Sequence, residues 1–426
     1  MKKFFTVATM FVLAVGFAAC GGGDDDGGTT PPTTEQPGDN PNDNPNDNPG
    51  DVPGDGTEVQ PTEKFVNYAT SKSGLTLAAT HFFLEVSEEA EPVVIKFAVY
   101  DQAGQDVTAD ASIYVMEGSN SVRVADAQFT PTATGKYQFW ASYKTNNTKA
   151  DALLEVVAVA DMPAILEDTN PSSKDFKRQA LLIQATGTDC MYCPNAIGAL
   201  RKLFGNQNYA DKAVLMALHT YNTGDPLYSQ AAKKLTAQAG LGASYPAIKI
   251  NFDNNMLAAG YTSDSFYSFL TSNITEICSQ AAETAIAVST SYDEATGRIS
   301  VAAKVKCDNP GDYKVTAVLV QDNVFCRQQG TNDTSFWIHE AGAKDVEPKT
   351  ATGFALNNGN TTEVGDVYDF CCEFNKSALY AKGTGDYALD VLRDARVLVY
   401  VQANGKVVDN VVSCGLNQQV GFVYND

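Results

Sequence analysis

The stretch RQALLIQATGTDCMYCPNAIGALRKLFG, Arg178 to Gly205, decides how the middle of the chain folds. Its first part is a near-continuous apolar run ending at Gly187, which is typical of a buried strand in a parallel sheet. Its last part places apolar residues at helical spacing and predicts a helix. Cys190 and Cys193 lie between the two parts, and Pro194 follows at once. The pair is therefore predicted to lie between a buried strand and the start of a helix.

A helix start favours a reactive thiol, because its unpaired backbone N–H groups and partial positive charge stabilise a thiolate. Pro194 fits the first helical turn, where the N–H that it lacks is not needed. In this interpretation Cys190 is the exposed attacking sulfur and Cys193 is the partly covered resolving sulfur. The pattern predicts thiol–disulfide exchange, with protein or peptide thiols and disulfides as partners.

Two other interpretations of the cysteine pair compete with exchange. A structural zinc site needs four ligands, and the sequence has neither a second C-x-x-C nor paired histidines to complete one. A purely structural disulfide in a non-catalytic protein for binding, adhesion or assembly is the other alternative. We predict no metal and no cofactor.

The segments that follow continue the alternation of strands and helices. KAVLMALHT and ASYPAIKINF predict strands, whereas SDSFYSFLTSNITEICSQAAE predicts a helix. A further helix, in DPLYSQAAKKLTAQAGL, is expected to start at Asp225 and Pro226 and to stop near Gly240. This order predicts an α/β layer fold with a mainly parallel sheet over residues 163–284.

On both sides of this α/β region the chain reads as all-β. Residues 63–162 and 285–426 carry short runs rich in β-branched and aromatic residues, separated by turn signals. This spacing predicts two immunoglobulin-like β-sandwiches. ANGK, at Ala403 to Lys406, indicates a hairpin turn in the second of them. The predicted fold class is a multidomain α/β plus all-β chain, with an α/β domain flanked by two sandwiches.

The charge of the chain limits its partners. Its 426 residues carry a formal net charge of -21. Nucleic-acid binding relies on Lys and Arg neutralising phosphates, so this balance argues against nucleic acid as a partner. It argues equally against binding to anionic lipid head groups.

Residues 1–19 are typical of an export signal. Lys2 and Lys3 precede an apolar run, and small residues come just before Cys20. FAAC resembles the lipobox of bacterial lipoproteins. The resemblance implies that Cys20 is lipidated and that this lipid attaches the protein to a membrane.

Residues 20–62 are predicted to be an unfolded tether. They are rich in Pro, Asn, Gly and Asp and lack the apolar surface that would offset the entropy of ordering. The Asp24–Asp26 cluster is similar to the surface-export signal of lipoproteins from certain anaerobic Gram-negative bacteria. The alternative is an acidic run that only increases solubility.

From residue 165 to 420 the chain resembles the outer-membrane-protein-28-related family of lipoproteins, which have a thioredoxin-like domain. The stretches that carry the resemblance are TGTDCMYCP at 186–194, LHTYNTGDP at 218–226, SYPAIKIN at 244–251 and FWIHEA at 336–341. The resemblance implies a thioredoxin-like fold over 163–284, with Pro246 as a cis-proline packed over the cysteine pair. It also implies an outer-membrane location, either at the cell surface or on the periplasmic face.

Three residues depart from the thioredoxin pattern or qualify it. Asp189 replaces the tryptophan that usually precedes the first cysteine, and a carboxylate there opposes thiolate formation. Gln184 replaces a buried acid and cannot titrate. His219, at the end of the second strand, could carry protons at the site or could be a polar strand-end residue. These departures predict a dithiol of modest reactivity.

Six more cysteines could pair in an exported protein, and they allow fifteen connectivities. Adjacent residues of a strand point to opposite faces, which disfavours a bond between two of the six, Cys371 and Cys372. The others are Cys278, Cys307, Cys326 and Cys414.

Overall fold

The fold is taken from a computed structural model that describes residues 6–7, 66–71, 73–81, 83–87, 91–148, 152–158, 162–359, 361–404 and 406–425. The predicted lipidation site, Cys20, the tether and all of the signal segment except residues 6–7 lie outside these ranges. Within them, no helix has the length and apolar character needed to cross a membrane.

The first β region forms two sheets that pack face to face. Its strands are β1 (Thr6–Val7), β2 (Val66–Thr70), β3 (Thr76–Ala79), β4 (Phe83–Ser87), β5 (Ile95–Tyr100), β6 (Ser112–Glu117), β7 (Asn120–Arg123), β8 (Gln128–Phe129), β9 (Gly135–Tyr143), β10 (Asn146–Asn147) and β11 (Ala152–Ala158). One sheet has the order β2-β3-β5-β8, and the other strands form the second sheet. Alternate side chains of both sheets, among them Leu77, Val99, Phe139 and Leu154, fill one core.

The middle of the chain follows the predicted alternation of strands and helices. Its elements are β12 (Ala180–Thr186), α1 (Cys193–Phe204), β13 (Ala213–His219), α2 (Gln230–Gln238), β14 (Ala247–Ile250), β15 (Met256–Leu257) and α3 (Ser263–Ile277). Every residue of β12 is buried, as its apolar run predicts. Helices α1 and α3 pack on one face of the sheet, through side chains such as Leu203 and Phe266. On the other face, α2 packs through Leu235.

The last third of the chain is β-rich. Its elements are β16 (Thr284–Asp293), β17 (Arg298–Cys307), β18 (Tyr313–Gln321), β19 (Val324–Phe325), β20 (Ile338–His339), β21 (Gly342–Glu347), β22 (Phe354–Ala355), β23 (Val367–Asn375), α4 (Val391–Asp394), β24 (Ala395–Ala403), β25 (Val407–Gly415) and β26 (Gln419–Val420). The predicted hairpin is present as β24 and β25, with Asn404 of its turn at φ 51°. A four-stranded sheet, β23-β17-β16-β26, packs against β18 and β24 in a sandwich-like core.

One nine-stranded sheet joins the α/β segment to the last third of the chain. Its order is β15-β14-β12-β13-β21-β18-β24-β25, with β22 also paired to β18. The junction is the parallel pairing of β13 with β21, where Ala217 faces Gly342 and the Ala217 N–H donates to the Ala341 carbonyl at 2.8 Å. The sheet therefore runs across the predicted domain boundary at residues 284 and 285.

Most of the sheet is antiparallel, so the expectation of a mainly parallel sheet is wrong. Strand β12 is parallel to β13, but β14 runs antiparallel to β12 and continues into β15, its antiparallel neighbour. The predicted start of the second helix is also wrong. Helix α2 begins at Gln230, where the Ser229 side chain caps it, because Asp225 is buried and engaged elsewhere. The coarse prediction of a β-rich multidomain chain is confirmed.

Candidate functional site

Cys190 and Cys193 lie where the sequence predicts them, between β12 and the first turn of α1. A disulfide joins them, and their Cα atoms are 5.4 Å apart. The Cys190 N–H donates to the Gly187 carbonyl at 3.2 Å, which forms the turn after the strand. Pro194 occupies the first turn of α1, where its missing N–H leaves no helical bond unmade.

Both cysteines are buried, so the prediction of an exposed Cys190 is wrong. Cys190 is 2% exposed and Cys193 is fully buried, whereas the two residues between them, Met191 and Tyr192, are 68% and 67% exposed. The side chains that this turn exposes to solvent are therefore the Met191 thioether and the Tyr192 phenol. A substrate disulfide needs a path to the sulfur of Cys190, and this conformation provides little of one.

A loop from the last third of the chain lies against the backbone of the cysteine turn; we call residues 326–330 the cover loop. Gln328 is fully buried, and its amide Nε2 donates to the carbonyls of Gly187 at 3.3 Å, Thr188 at 3.2 Å and Cys190 at 3.0 Å. The Gln329 backbone N–H adds a bond to the Thr188 carbonyl at 2.8 Å. These bonds hold the cover loop against the backbone that carries Cys190.

The cover loop fits so closely that one of its positions requires glycine. Gly330 has φ +88°, and a Cβ there would collide with the carbonyl of Met191. An L-residue with a side chain is therefore disfavoured both by its own backbone conformation and by the cysteine turn.

His219 is buried and hydrogen-bonded to Asp225, with 2.9 Å between His219 Nδ1 and Asp225 Oδ2. Asp225 Oδ2 also accepts from the Thr188 N–H at 2.7 Å, and its Oδ1 accepts from the Leu227 N–H at 2.9 Å. Burial by itself would raise the pKa of Asp225, but His219 and the two N–H donors hold it well below its usual range. Such a contact suits a polar strand-end residue, and a role for His219 as a proton carrier stays a prediction.

His339 is a second buried histidine beside this pair. Its ring centroid is 5.3 Å from that of His219, and the two rings are nearly perpendicular. His339 Nε2 lies 3.0 Å from the carbonyl of Cys326 in the cover loop, so this nitrogen carries the proton and donates it. Burial, together with the neighbouring His219, lowers the pKa of His339 to about 4. The imidazole is therefore neutral at pH 7.

Pro246 is buried, and the Tyr245–Pro246 peptide bond is cis. The next residue, Ala247, opens β14 and pairs with Ala185 of β12, so the proline lies beside the end of the strand that leads to the cysteines. The Tyr245 hydroxyl lies 3.0 Å from the hydroxyl of Thr220, which fixes the tyrosine near the end of β13.

The two other sequence-predicted residues take different positions. Asp189 is exposed, and its carboxylate accepts a hydrogen bond from the Asn222 side chain. Gln184 is only 3% exposed, and its amide Nε2 has no hydrogen-bond partner in the described part of the chain. Thr186, two residues further along the same strand, is 2% exposed and has an equally unpartnered hydroxyl.

The remaining cysteines show no sign of a shared site. Burial raises the pKa of the Cys307 thiol to about 12, and it also raises the pKa values of Cys278, Cys326 and Cys414. Cys371 and Cys372 face different clusters, as adjacent strand residues should. Among the residues that the structure describes, no three His, Cys, Asp or Glu side chains are grouped to hold a metal ion.

Gln328, Asp225 and His339 belong to this site, but their surroundings in the sequence do not indicate it. Gln328 lies 138 residues from Cys190 along the chain, and its own surroundings in sequence are polar and loop-like. Asp225 precedes a proline, a pattern that resembles a helix start. The FWIHEA stretch that contains His339 contributed to the family resemblance, but nothing in it indicates a contact with His219.

Comparisons with known proteins find similarity to a solved structure and to no family model or curated protein. No protein-family model matches the chain, and no curated protein matches it either. Among solved structures, HBP35 of Porphyromonas gingivalis is similar to it with a TM-score of 0.46 and 15% sequence identity, over 60% of this chain and 80% of that chain. The resemblance to the outer-membrane-protein-28-related family stays a prediction.

Proposed function

We propose that residues 163–284 form a thioredoxin-like domain and that the flanking β regions are immunoglobulin-like sandwiches. The order β12-α1-β13-α2-β14-β15-α3, with the strands arranged as β13-β12-β14-β15, supports the first part. The position of Cys190 and Cys193 at the start of α1 supports it further. The two-sheet core of the first β region supports the second part.

From the sequence we further propose that the protein is lipid-anchored at Cys20 in the outer membrane, on its outer or periplasmic face. Membership of the outer-membrane-protein-28-related family is part of the same proposal. Metabolic labelling with a radioactive fatty acid, compared between the chain and its Cys20→Ser variant, tests the anchor. Label that survives the substitution would contradict it.

For the activity, the geometry best supports a non-catalytic binding scaffold with a structural Cys190–Cys193 disulfide. The observation that carries this proposal is the 2% exposure of Cys190 beside the cover loop. Exchange starts when a thiolate attacks a disulfide sulfur, and both sulfurs must be accessible for that attack. With Cys190 2% exposed, its sulfur is out of reach of a folded protein substrate in this conformation.

Thiol–disulfide exchange is the second candidate, because the cysteine pair lies at a helix start, where a thiolate is stabilised. In that case the cover loop must first move away. A reducing dithiol would then reduce the Cys190–Cys193 disulfide and become a disulfide itself. The Cys190 thiolate so formed would attack a substrate disulfide, form a mixed disulfide and release one substrate thiolate. Cys193 would attack Cys190 next, release the second substrate thiol and restore the internal disulfide.

A matched pair of variants separates the two candidates. Cys193→Ser leaves Cys190 as the only thiol of the pair, and Cys190→Ser leaves Cys193. Each variant of the full chain is incubated with insulin, and covalent adducts are counted by mass spectrometry. A scaffold predicts that neither variant forms adducts faster than the same variant unfolded in urea. Rapid adducts on Cys193→Ser but not on Cys190→Ser would replace the scaffold with an exchange enzyme.

A further inference from the structure

A cavity of about 510 Å³ lies on the α1 face of strands β12 and β13. This volume is within the range of roughly 300–1,000 Å³ that small-molecule sites occupy. Its apolar wall comes from α1 and β13 and includes Leu200, Phe204, Leu215 and Ala217. The opposite wall is built by the last third of the chain, so the cavity lies where the nine-stranded sheet crosses from one region to the other.

Two unpartnered polar groups line this cavity. Gln184 and Thr186 stand two residues apart on β12, and that spacing places both side chains on the same face of the sheet. Both are at least nine-tenths buried, and neither the Gln184 Nε2 nor the Thr186 hydroxyl has a hydrogen-bond partner among the described residues. A buried amide or hydroxyl without a partner costs free energy, so these groups favour a ligand that completes their bonds. The amide nitrogen can only donate, and the hydroxyl can also donate, so the matching ligand group is an oxygen acceptor.

The two arginines that line the cavity are already engaged by other groups of the chain. Arg396 pairs with Asp322 at 2.7 Å, and Arg201 donates to the carbonyl of Ile338 at 3.3 Å. Glu340 accepts from the Asn323 N–H at 3.1 Å, and burial together with Asp322 raises its pKa to about 7. An ionised ligand group next to Gln184 would therefore be buried without a free counter-charge, which is costly.

We propose that this cavity binds an uncharged, mostly apolar small molecule through one carbonyl oxygen that accepts from Gln184 Nε2 and the Thr186 hydroxyl. The apolar wall on α1 and β13 accommodates the body of the molecule. This proposal deepens the binding-scaffold function proposed above, because it names the class of ligand that the scaffold holds.

The test uses three probes that differ only in the head group: 4-phenylbutanamide, 4-phenylbutyrate and 4-phenylbutylamine. Binding to the full chain is measured by isothermal titration calorimetry and by ligand-observed NMR at pH 7. We expect the amide to bind at least about tenfold more tightly than either charged probe, since burial of an uncompensated charge is unfavourable. Equal binding of the three probes, or no binding of the amide, would overturn the proposal without any variant.

Two nearly isosteric variants locate the site. Gln184→Met keeps an unbranched side chain and Thr186→Val keeps the branched shape, and each removes one donor. We expect each to weaken amide binding about five- to tenfold, the effect of one lost hydrogen bond. Because each also removes a buried unpartnered group, urea unfolding should show no loss of stability. Thr316→Val is the matched control, since Thr316 is a fully buried threonine of β18 outside the cavity.

The outcomes separate this proposal from the scaffold function. Amide binding that is unchanged in both cavity variants would place the probe elsewhere and overturn the ligand assignment, while the scaffold is judged by the insulin experiment. Rapid insulin adducts would contradict the non-catalytic scaffold function, whereas the ligand assignment would still be decided by the calorimetric result.

Discussion

Removal of the Gln328 side-chain amide should make the Cys190–Cys193 disulfide much easier to reduce. The amide has two N–H hydrogens and faces several carbonyls, so it makes at most two good bonds at one time. At about 1 kcal/mol for each net bond, Gln328→Ala should weaken closure of the cover loop by about 2 kcal/mol. Every 1.4 kcal/mol is a factor of ten, so the open population should rise about 30-fold.

The assay follows reduction of the disulfide in the folded chain. Dithiothreitol is added at pH 8, samples are quenched with iodoacetamide, and the peptide with Cys190 and Cys193 is quantified by mass spectrometry. If the loop opens and closes quickly relative to reduction, the observed rate follows the open population and increases by the same factor. Gly330→Ala should act in the same direction, because its Cβ would collide with the Met191 carbonyl.

Gln329→Ala is the matched control. Gln329 is adjacent and exposed, and it holds the loop through its backbone N–H, which the substitution keeps. Its reduction rate should equal that of the unchanged chain. If Gln328→Ala is reduced at the unchanged rate, or if Gln329→Ala accelerates reduction equally, the cover loop does not control access to the disulfide.

Three more predictions concern the surroundings of the site. The pKa of His339 is lowered from 6.5 to about 4, so the unfolded chain takes up a proton there between these pH values and the folded chain does not. The free energy of unfolding should therefore fall by about 3 kcal/mol as the pH drops through that window, and His339→Gln should flatten the slope measured by urea titration. Asp225→Ala should lower that free energy by about 3–5 kcal/mol, because it leaves His219 and two N–H groups buried without their partner, whereas the exposed Asp189→Ala should change it little. The buried Cys307 should resist iodoacetamide at pH 8 in the folded chain and react in urea; equal labelling in both conditions would contradict its raised pKa.

The elements around the disulfide can be predicted from the sequence because their signals are local. The apolar run before Gly187 and the proline after Cys193 are enough to place β12 and the start of α1. The predicted start of α2 is wrong because Asp225 and Pro226 have the pattern of a helix start, whereas the Asp225 carboxylate is hydrogen-bonded to His219. A local sequence pattern does not show that the Asp225 side chain is hydrogen-bonded to another strand's residue instead of capping a helix.

The cover loop and the shared sheet could not be predicted for the same physical reason. Strand β21 contains Lys344 and Glu347 among its buried residues and lacks the apolar run or clean alternation that indicates a strand. Its pairing with β13 joins Ala217 to Gly342, residues far apart in the chain, and only the folded topology brings them together. The burial of Cys190 depends on that same long-range arrangement.

The shared sheet has a consequence for any attempt to divide the protein. A fragment ending at residue 284 would lose β21, β18, β24 and β25, and the backbone N–H and carbonyl groups along one side of β13 would have no strand to pair with. The apolar cluster that contains Met216 and Leu218 would also lose members such as Val318 and Leu398. An unpaired strand edge beside exposed apolar side chains promotes aggregation of the fragment. Recombinant production of the α/β segment alone should therefore give insoluble protein, and the smallest soluble piece that contains the disulfide should extend through β25.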